Sequence, residues 1–202
     1  MRILLFTLLF TLPLFADQPQ MMLPALFKVQ GVASDDQLNV RAAPDASSDI
    51  LGRYDATAKD IEVVGFSPEG KWAQVNMAGQ TGWVSLAYLQ NQPIALDQNN
   101  LPAGLQCFGT EPFWTLTPSD GTLVLTHQIN EKKAIFQINS TSPAQYLQNF
   151  YGMNINVSND SGKSIIRILP GRCSDGMSES LYGLHIIGDD IGIGCCSIEN
   201  IK

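Results

Sequence analysis

The sequence predicts an all-β protein of two units. One is a small barrel over residues 26–90; the other is a disulfide-stapled antiparallel β-barrel or sandwich over residues 105–202, with at most one short helix. Three observations predict it. Apolar and polar residues alternate in short runs along most of the chain, the period of strands with one buried face. Clusters of Gly, Pro, Asp and Asn separate those runs at the spacing of small all-β folds. The four cysteines, Cys107, Cys173, Cys195 and Cys196, all fall in the second half, and an even number there suits a stapled domain.

The N-terminus reads as a targeting segment. Met1-Arg2 gives a positive start, Ile3 to Phe15 is apolar apart from Thr7, Thr11 and Pro13, and Ala16 precedes Asp17-Gln18. This is the pattern of a secretory signal peptide over residues 1–16, cleaved after Ala16. The alternative is an uncleaved anchor, for which the apolar run is short. No cysteine lies near the cut to carry an acyl anchor, and no later segment reaches transmembrane length. No transmembrane anchor is therefore expected after cleavage. Residues 17–25 read as a flexible arm.

Strands are expected at Leu26–Val32, Gln37–Arg41, Ile61–Phe66, Trp72–Met77 and Gly82–Leu86, with a final turn over Leu86–Leu89. Turn signals stand between them at Ser34-Asp35-Asp36, Pro44-Asp45, Ser67-Pro68-Glu69-Gly70 and Ala78-Gly79. Residues 91–104 hold Asn, Gln, Pro93 and Pro102 with little periodicity and read as a linker. Beyond it, strands are expected at Leu105–Phe108, Phe113–Thr117, Thr122–His127, Lys133–Asn139, Met153–Ser158, Lys163–Pro170, Leu184–Gly188 and Ile191–Cys195. Asp120-Gly121 and Asp160-Ser161-Gly162 are hairpin signals. The stretch 142–150 departs from this: Ser142 suits an N-cap and Pro143 a first helical position, so one short helix is expected there.

Four features of the first unit coincide: Leu38-Asn39-Val40-Arg41, the Pro44 turn, Trp72 within a strand, and Gly82-Trp83-Val84. Together they resemble the bacterial SH3-like domain over residues 38–89. The resemblance implies a small barrel with a non-catalytic role, binding peptidoglycan or protein segments in the cell envelope. Arg41, Asp45, Tyr54, Phe66, Trp72 and Tyr88 are the candidate contact residues, expected on loops and strand ends. Aromatic platforms beside hydrogen-bonding groups suit sugars or stem peptides. The competing reading, favoured for each Trp, makes Phe66, Trp72 and Trp83 core residues and pairs Arg41 with a nearby Asp.

In an exported chain four cysteines favour two disulfides. Adjacent Cys195 and Cys196 rarely bridge each other, since neighbouring Cα atoms are about 3.8 Å apart, below the usual disulfide separation. Cys173–Cys195 with Cys107–Cys196 is the favoured pairing, and the crossed arrangement stays open. A zinc site is the rival, without a Cys-x-x-Cys pair to support it. No metal site and no cofactor is expected.

Three strings of the second half, Gly109-Thr110-Glu111-Pro112-Phe113-Trp114, Cys173-Ser174-Asp175-Gly176-Met177-Ser178 and Gly194-Cys195-Cys196, resemble a family of uncharacterised bacterial envelope proteins and lipoproteins. That resemblance implies location and fold, not an activity. The favoured reading of Glu111 and Asp175 is that each caps a turn by accepting backbone N–H bonds; the alternative brings them near each other at the disulfide end as a small acidic pocket for a ligand or divalent cation.

A net charge of −7 makes nucleic acid and anionic lipid surfaces poor partners, because phosphate binding needs clustered Lys and Arg. Catalysis would need a cysteine nucleophile beside His127 or His185, both expected to face solvent. Cys173-Ser174-Asp175-Gly176 resembles the Asp-Cys-Ser-Gly string of cell-wall endopeptidases only loosely, because the Asp follows. Gly192-Ile193-Gly194-Cys195 lacks the His expected before a transpeptidase Cys. The expectation is an exported, periplasmic, non-catalytic envelope protein that binds peptidoglycan or a protein partner. The alternatives are an inhibitor or structural partner of an envelope enzyme and, behind it, a Cys/His cell-wall hydrolase.

Overall fold

A computed structural model of the chain describes residues 22–144 and 152–199. The expected signal peptide and most of the expected arm lie outside the described residues, as does 145–150 of the expected helix. Ser142–Ala144, expected at that helix's start, instead end a long strand.

The N-terminal unit comprises β1 (Ala25–Val29), β2 (Gln37–Arg41), β3 (Ile50–Asp55), β4 (Ile61–Val63), β5 (Gly65–Phe66), β6 (Trp72–Met77), β7 (Gln80–Ser85), a 3₁₀ turn (Leu86–Tyr88) and β8 (Leu89–Gln92). The strands form two antiparallel sheets, β4-β1-β8 and β3-β2-β7-β6-β5. Phe27, Val40, Val63, Ala73, Val75 and Val84 fill the core between them. β1 ends at Val29, earlier than expected, and β3 and β8 were not foreseen. β3 carries almost no alternation, because Gly52 sits at its centre against the Met77 side chain.

The C-terminal unit is a closed eight-stranded barrel: β9 (Gln106–Thr110), β10 (Phe113–Ser119), β11 (Thr122–His127), β12 (Lys133–Ala144), β13 (Gly152–Asn159), β14 (Gly162–Cys173), β15 (Tyr182–Gly188) and β16 (Gly192–Ser197). Each strand pairs with its neighbour in sequence, and β16 closes on β9. Alternate residues point inward, so Leu116, Leu125, Phe136, Ile155, Ile166 and Ile186 pack the interior. Eight strands leave an interior just filled by side chains or wide enough for one small ligand.

The two rims differ. At the rim carrying the β9–β10 and β15–β16 turns, Ile191 folds into the core; a Cβ on Gly188 would stand 3.1 Å from it and 3.2 Å from Ile166. The opposite rim faces the N-terminal unit. Residues 91–104, read as a linker, are held in place there. The Asp97 carboxylate accepts from the backbone N–H groups of Asn99 (2.7 Å) and Leu101 (2.9 Å). Leu96 bridges to Pro102, and Leu101 is fully buried in the barrel core. The last residues of the expected arm are also packed, with Pro24 lying on Gly183.

Candidate functional site

The two units meet along a seam of polar clamps. The β6–β7 turn docks on the chain between β14 and β15: Thr81 donates from its N–H (3.1 Å) and hydroxyl (2.7 Å) to the Glu179 carbonyl, and the Glu179 N–H donates to the Gly79 carbonyl at 3.2 Å. Asn76 acts as a substitute strand edge for Leu181. Its amide nitrogen donates to the Leu181 carbonyl at 2.8 Å, and its amide oxygen accepts from the Leu181 N–H at 3.1 Å. On β4, the buried Glu62 accepts from the Ser197 hydroxyl (2.5 Å) and the Ile198 N–H (3.2 Å). Burial raises its pKa, those two bonds work against the rise and Glu199 beside it adds to it, leaving it at about 7. Glu199 is itself raised by burial and by Asp60.

Between these clamps opens a cleft of about 1170 Å³. Val64, Phe66, Gln74 and Trp83 form its wall on the N-terminal unit. Leu105, Met153, Ile168, Leu184 and Ile198 form its floor at the barrel mouth. Leu23, Pro24, Pro93, Ile94 and Pro102 enclose its sides.

The contact residues predicted from the sequence do not form one patch. Arg41 is half-buried and donates to the Ser48 carbonyl at 2.7 Å. Exposed Asp45 accepts from the Ser47 N–H (2.8 Å) and hydroxyl (2.9 Å), which lower its pKa. Both residues brace the loop between β2 and β3. Tyr54 is half-buried and donates to the Asn76 carbonyl at 3.3 Å; burial raises its pKa, and Glu199 adds to the effect. Phe66 lines the cleft, half-buried. Trp72 is half-buried at the start of β6, and Tyr88 is 44% exposed in the 3₁₀ turn. Neither Trp72 nor Tyr88 lines the cleft.

Residues 36–90 match the family model of the bacterial SH3 domain. The SH3 domain of this chain therefore begins, by family match, after β1, although β1 supplies Phe27 and Val29 to the same core. No curated protein matches the chain, and the resemblance drawn from the strings of the second half finds no support in these comparisons.

Outside the SH3 domain, the alternative of a shared Glu111–Asp175 pocket does not form. Antiparallel order sends β9 toward one rim and β14 toward the other, so Glu111, in the β9–β10 turn, and Asp175, just after β14, lie at opposite rims. Glu111 is exposed. Asp175 accepts from Met177 N–H (2.9 Å), Ser178 N–H (2.8 Å) and Ser178 hydroxyl (2.8 Å). Burial works to raise its pKa, and these bonds outweigh it and leave it lowered. It caps a turn.

The disulfides are Cys107–Cys196 and Cys173–Cys195, and they engage all four sulfurs. Alternation explains why adjacent cysteines take different partners. Cys196 points into the barrel and meets Cys107 directly across the β9–β16 pair. Cys195 points out and reaches Cys173 past β15. Phe108 and Tyr182, the register partners of Cys195 and Cys173, stack edge to face at 4.7 Å. His127 and His185, expected to face solvent, are both half-buried, and His185 lies over Gly171.

Glu62, Asn76 and Arg172, which lines the cleft, were missed in the sequence. A lone carboxylate inside Ile61-Glu62-Val63-Val64 was the available signal for the first. Asn76 and Arg172 gave none, since the edge and the cleft they serve exist only once both units are in place. Among the described residues, no helix is long and apolar enough to cross a membrane.

Proposed function

We propose that this chain is an exported, non-catalytic cell-envelope protein whose SH3 domain holds peptidoglycan or an envelope protein. The observation that carries the reading is the bacterial SH3 match over residues 36–90. The docked geometry supports it, because the clamps occupy the β6–β7 turn and β4, leaving Trp72 and exposed Tyr88 outside the cleft. The expected signal peptide and the two disulfides support export, since disulfides persist in oxidising compartments. With every sulfur oxidised, no thiolate is present to act as a nucleophile, which favours binding over hydrolysis.

The test is retention of mature protein on purified peptidoglycan sacculi, with Trp72→Ala and Tyr88→Ala beside the parent. Retention that falls at least several-fold in the variants supports the reading. No retention across salt and pH removes peptidoglycan as the ligand, and cross-linking in cells then decides whether the same residues contact a protein.

A further inference from the structure

We propose that the cleft at the open rim binds a single-chain amphiphile with an anionic head group, its tail in the barrel mouth and its head at Arg172. The cleft is not the surface assigned to peptidoglycan above, and it calls for different chemistry. A glycan strand needs hydrogen-bonding groups along its length. Here the floor is Leu105, Met153, Ile168, Leu184 and Ile198, and of the polar side chains at the sides Asn91, Gln92 and Thr141 are already engaged by the Leu26 carbonyl, the Asp60 N–H and the Asn99 carbonyl. The cleft's 1170 Å³ stands at or above the top of the range for small-molecule pockets, about 300–1,000 Å³. That is room for a long apolar chain. Methionine at the floor suits a tail of variable shape, because its unbranched thioether fills irregular gaps.

Charge then selects the head group. Among the described lining residues Arg172 is the one ionisable side chain. It is exposed and makes no hydrogen bond or ion pair with any other described residue. Ile168, Pro170 and Arg172 all line the cleft, Arg172 within the bulge that breaks the β14–β15 register between Pro170 and Cys173. An apolar floor below a single unpaired guanidinium is complementary to a carboxylate or phosphate carried on a hydrocarbon chain, which a guanidinium grips through paired N–H donors. The overall charge of −7 weighs against binding anionic surfaces, but it does not govern an ion pair formed within a few ångströms of one guanidinium, well inside a Debye length of about 8 Å.

Calorimetric titration of the mature protein with sodium decanoate, dodecanoate and tetradecanoate, each below its micellar concentration, tests the proposal. One saturable site is expected, tightening about 4-fold per added methylene until the cavity is full. Dodecyltrimethylammonium should bind at least 10-fold more weakly than dodecanoate. Arg172→Glu should weaken dodecanoate at least 10-fold and leave dodecanol unchanged. Because Arg172 is exposed at a strand end, the variant keeps its fold, which equal thermal midpoints without ligand will show. Non-saturable uptake, equal affinity for the cationic detergent, or an Arg172→Glu protein that binds dodecanoate as the parent does would each overturn the proposal. Sacculus retention is unaffected by any of these results, so the two readings fail separately.

Discussion

The most distinctive string of the second half turns out to encode a packing contact. The indole of Trp114 is buried inside the barrel and lies over two glycines, Gly109 and Gly194. A Cβ on Gly109 would collide with the indole nitrogen edge. A Cβ on Gly194 would collide with the Phe108 carbonyl and stand 2.9 Å from the same ring. Overpacking of this kind costs about 1–3 kcal/mol. Gly109→Ala and Gly194→Ala should each lower the urea midpoint of the purified protein with the slope unchanged, whereas Glu111→Gln, at an exposed turn of the same string, should change the unfolding free energy by less than about 0.5 kcal/mol. The string marks itself as unusual from the residues alone. Its meaning is hidden, because Gly194 reaches Trp114 only through closure of β16 on β9, a pairing between segments far apart in the chain. Cys195 and Cys196 are similar: their opposite directions are readable from strand alternation, and their partners are not.

At the level of elements, alternation was readable wherever a strand had one core to face. β2, β6 and the barrel strands fall near their expected positions for that reason. It was not readable in β3, where Gly52 replaces a core side chain. β1 shows a subtler case, since Ala25, Phe27 and Val29 enter the SH3 core while Leu26 enters the barrel core. With both faces buried, β1 reads as an unbroken apolar run through Ala25-Leu26-Phe27, until exposed Lys28 interrupts it. β4 is pinned to the end of β16 by Glu62, and this gives the seam a pH dependence. The folded protein holds the Glu62 proton more tightly than the unfolded chain, because its pKa rises from 4.5 to about 7. Its contribution to stability is therefore complete below about pH 4.5 and lost as pH rises through about 7. Glu199 shifts in the same direction, while Asp45 and Asp175, both lowered, act only in the acid range. The thermal midpoint should fall between pH 5 and pH 8. Glu62→Gln, which keeps an acceptor for the Ile198 N–H and carries no charge, should flatten that slope and exceed the parent at pH 8.

For the whole molecule, the two disulfides act on different scales. Cys107–Cys196 spans 89 residues and Cys173–Cys195 spans 22. Restricting the unfolded chain over those loops is worth about 4–5 and about 3 kcal/mol respectively. Replacing the Cys107/Cys196 pair by alanine should thus cost more in denaturant midpoint than replacing Cys173/Cys195. The bond from Cys107 to Cys196 joins the first strand of the ring to the last, and this has a mechanical consequence. Tension applied at the two flanks of the barrel travels through one covalent bond and bypasses the strands it encircles. A protein tethered in the envelope by its SH3 domain and pulled from beyond β16 would extend its SH3 domain while the barrel stayed shut. In single-molecule stretching, the length stored between Cys107 and Cys196 should be released only after a reductant is added.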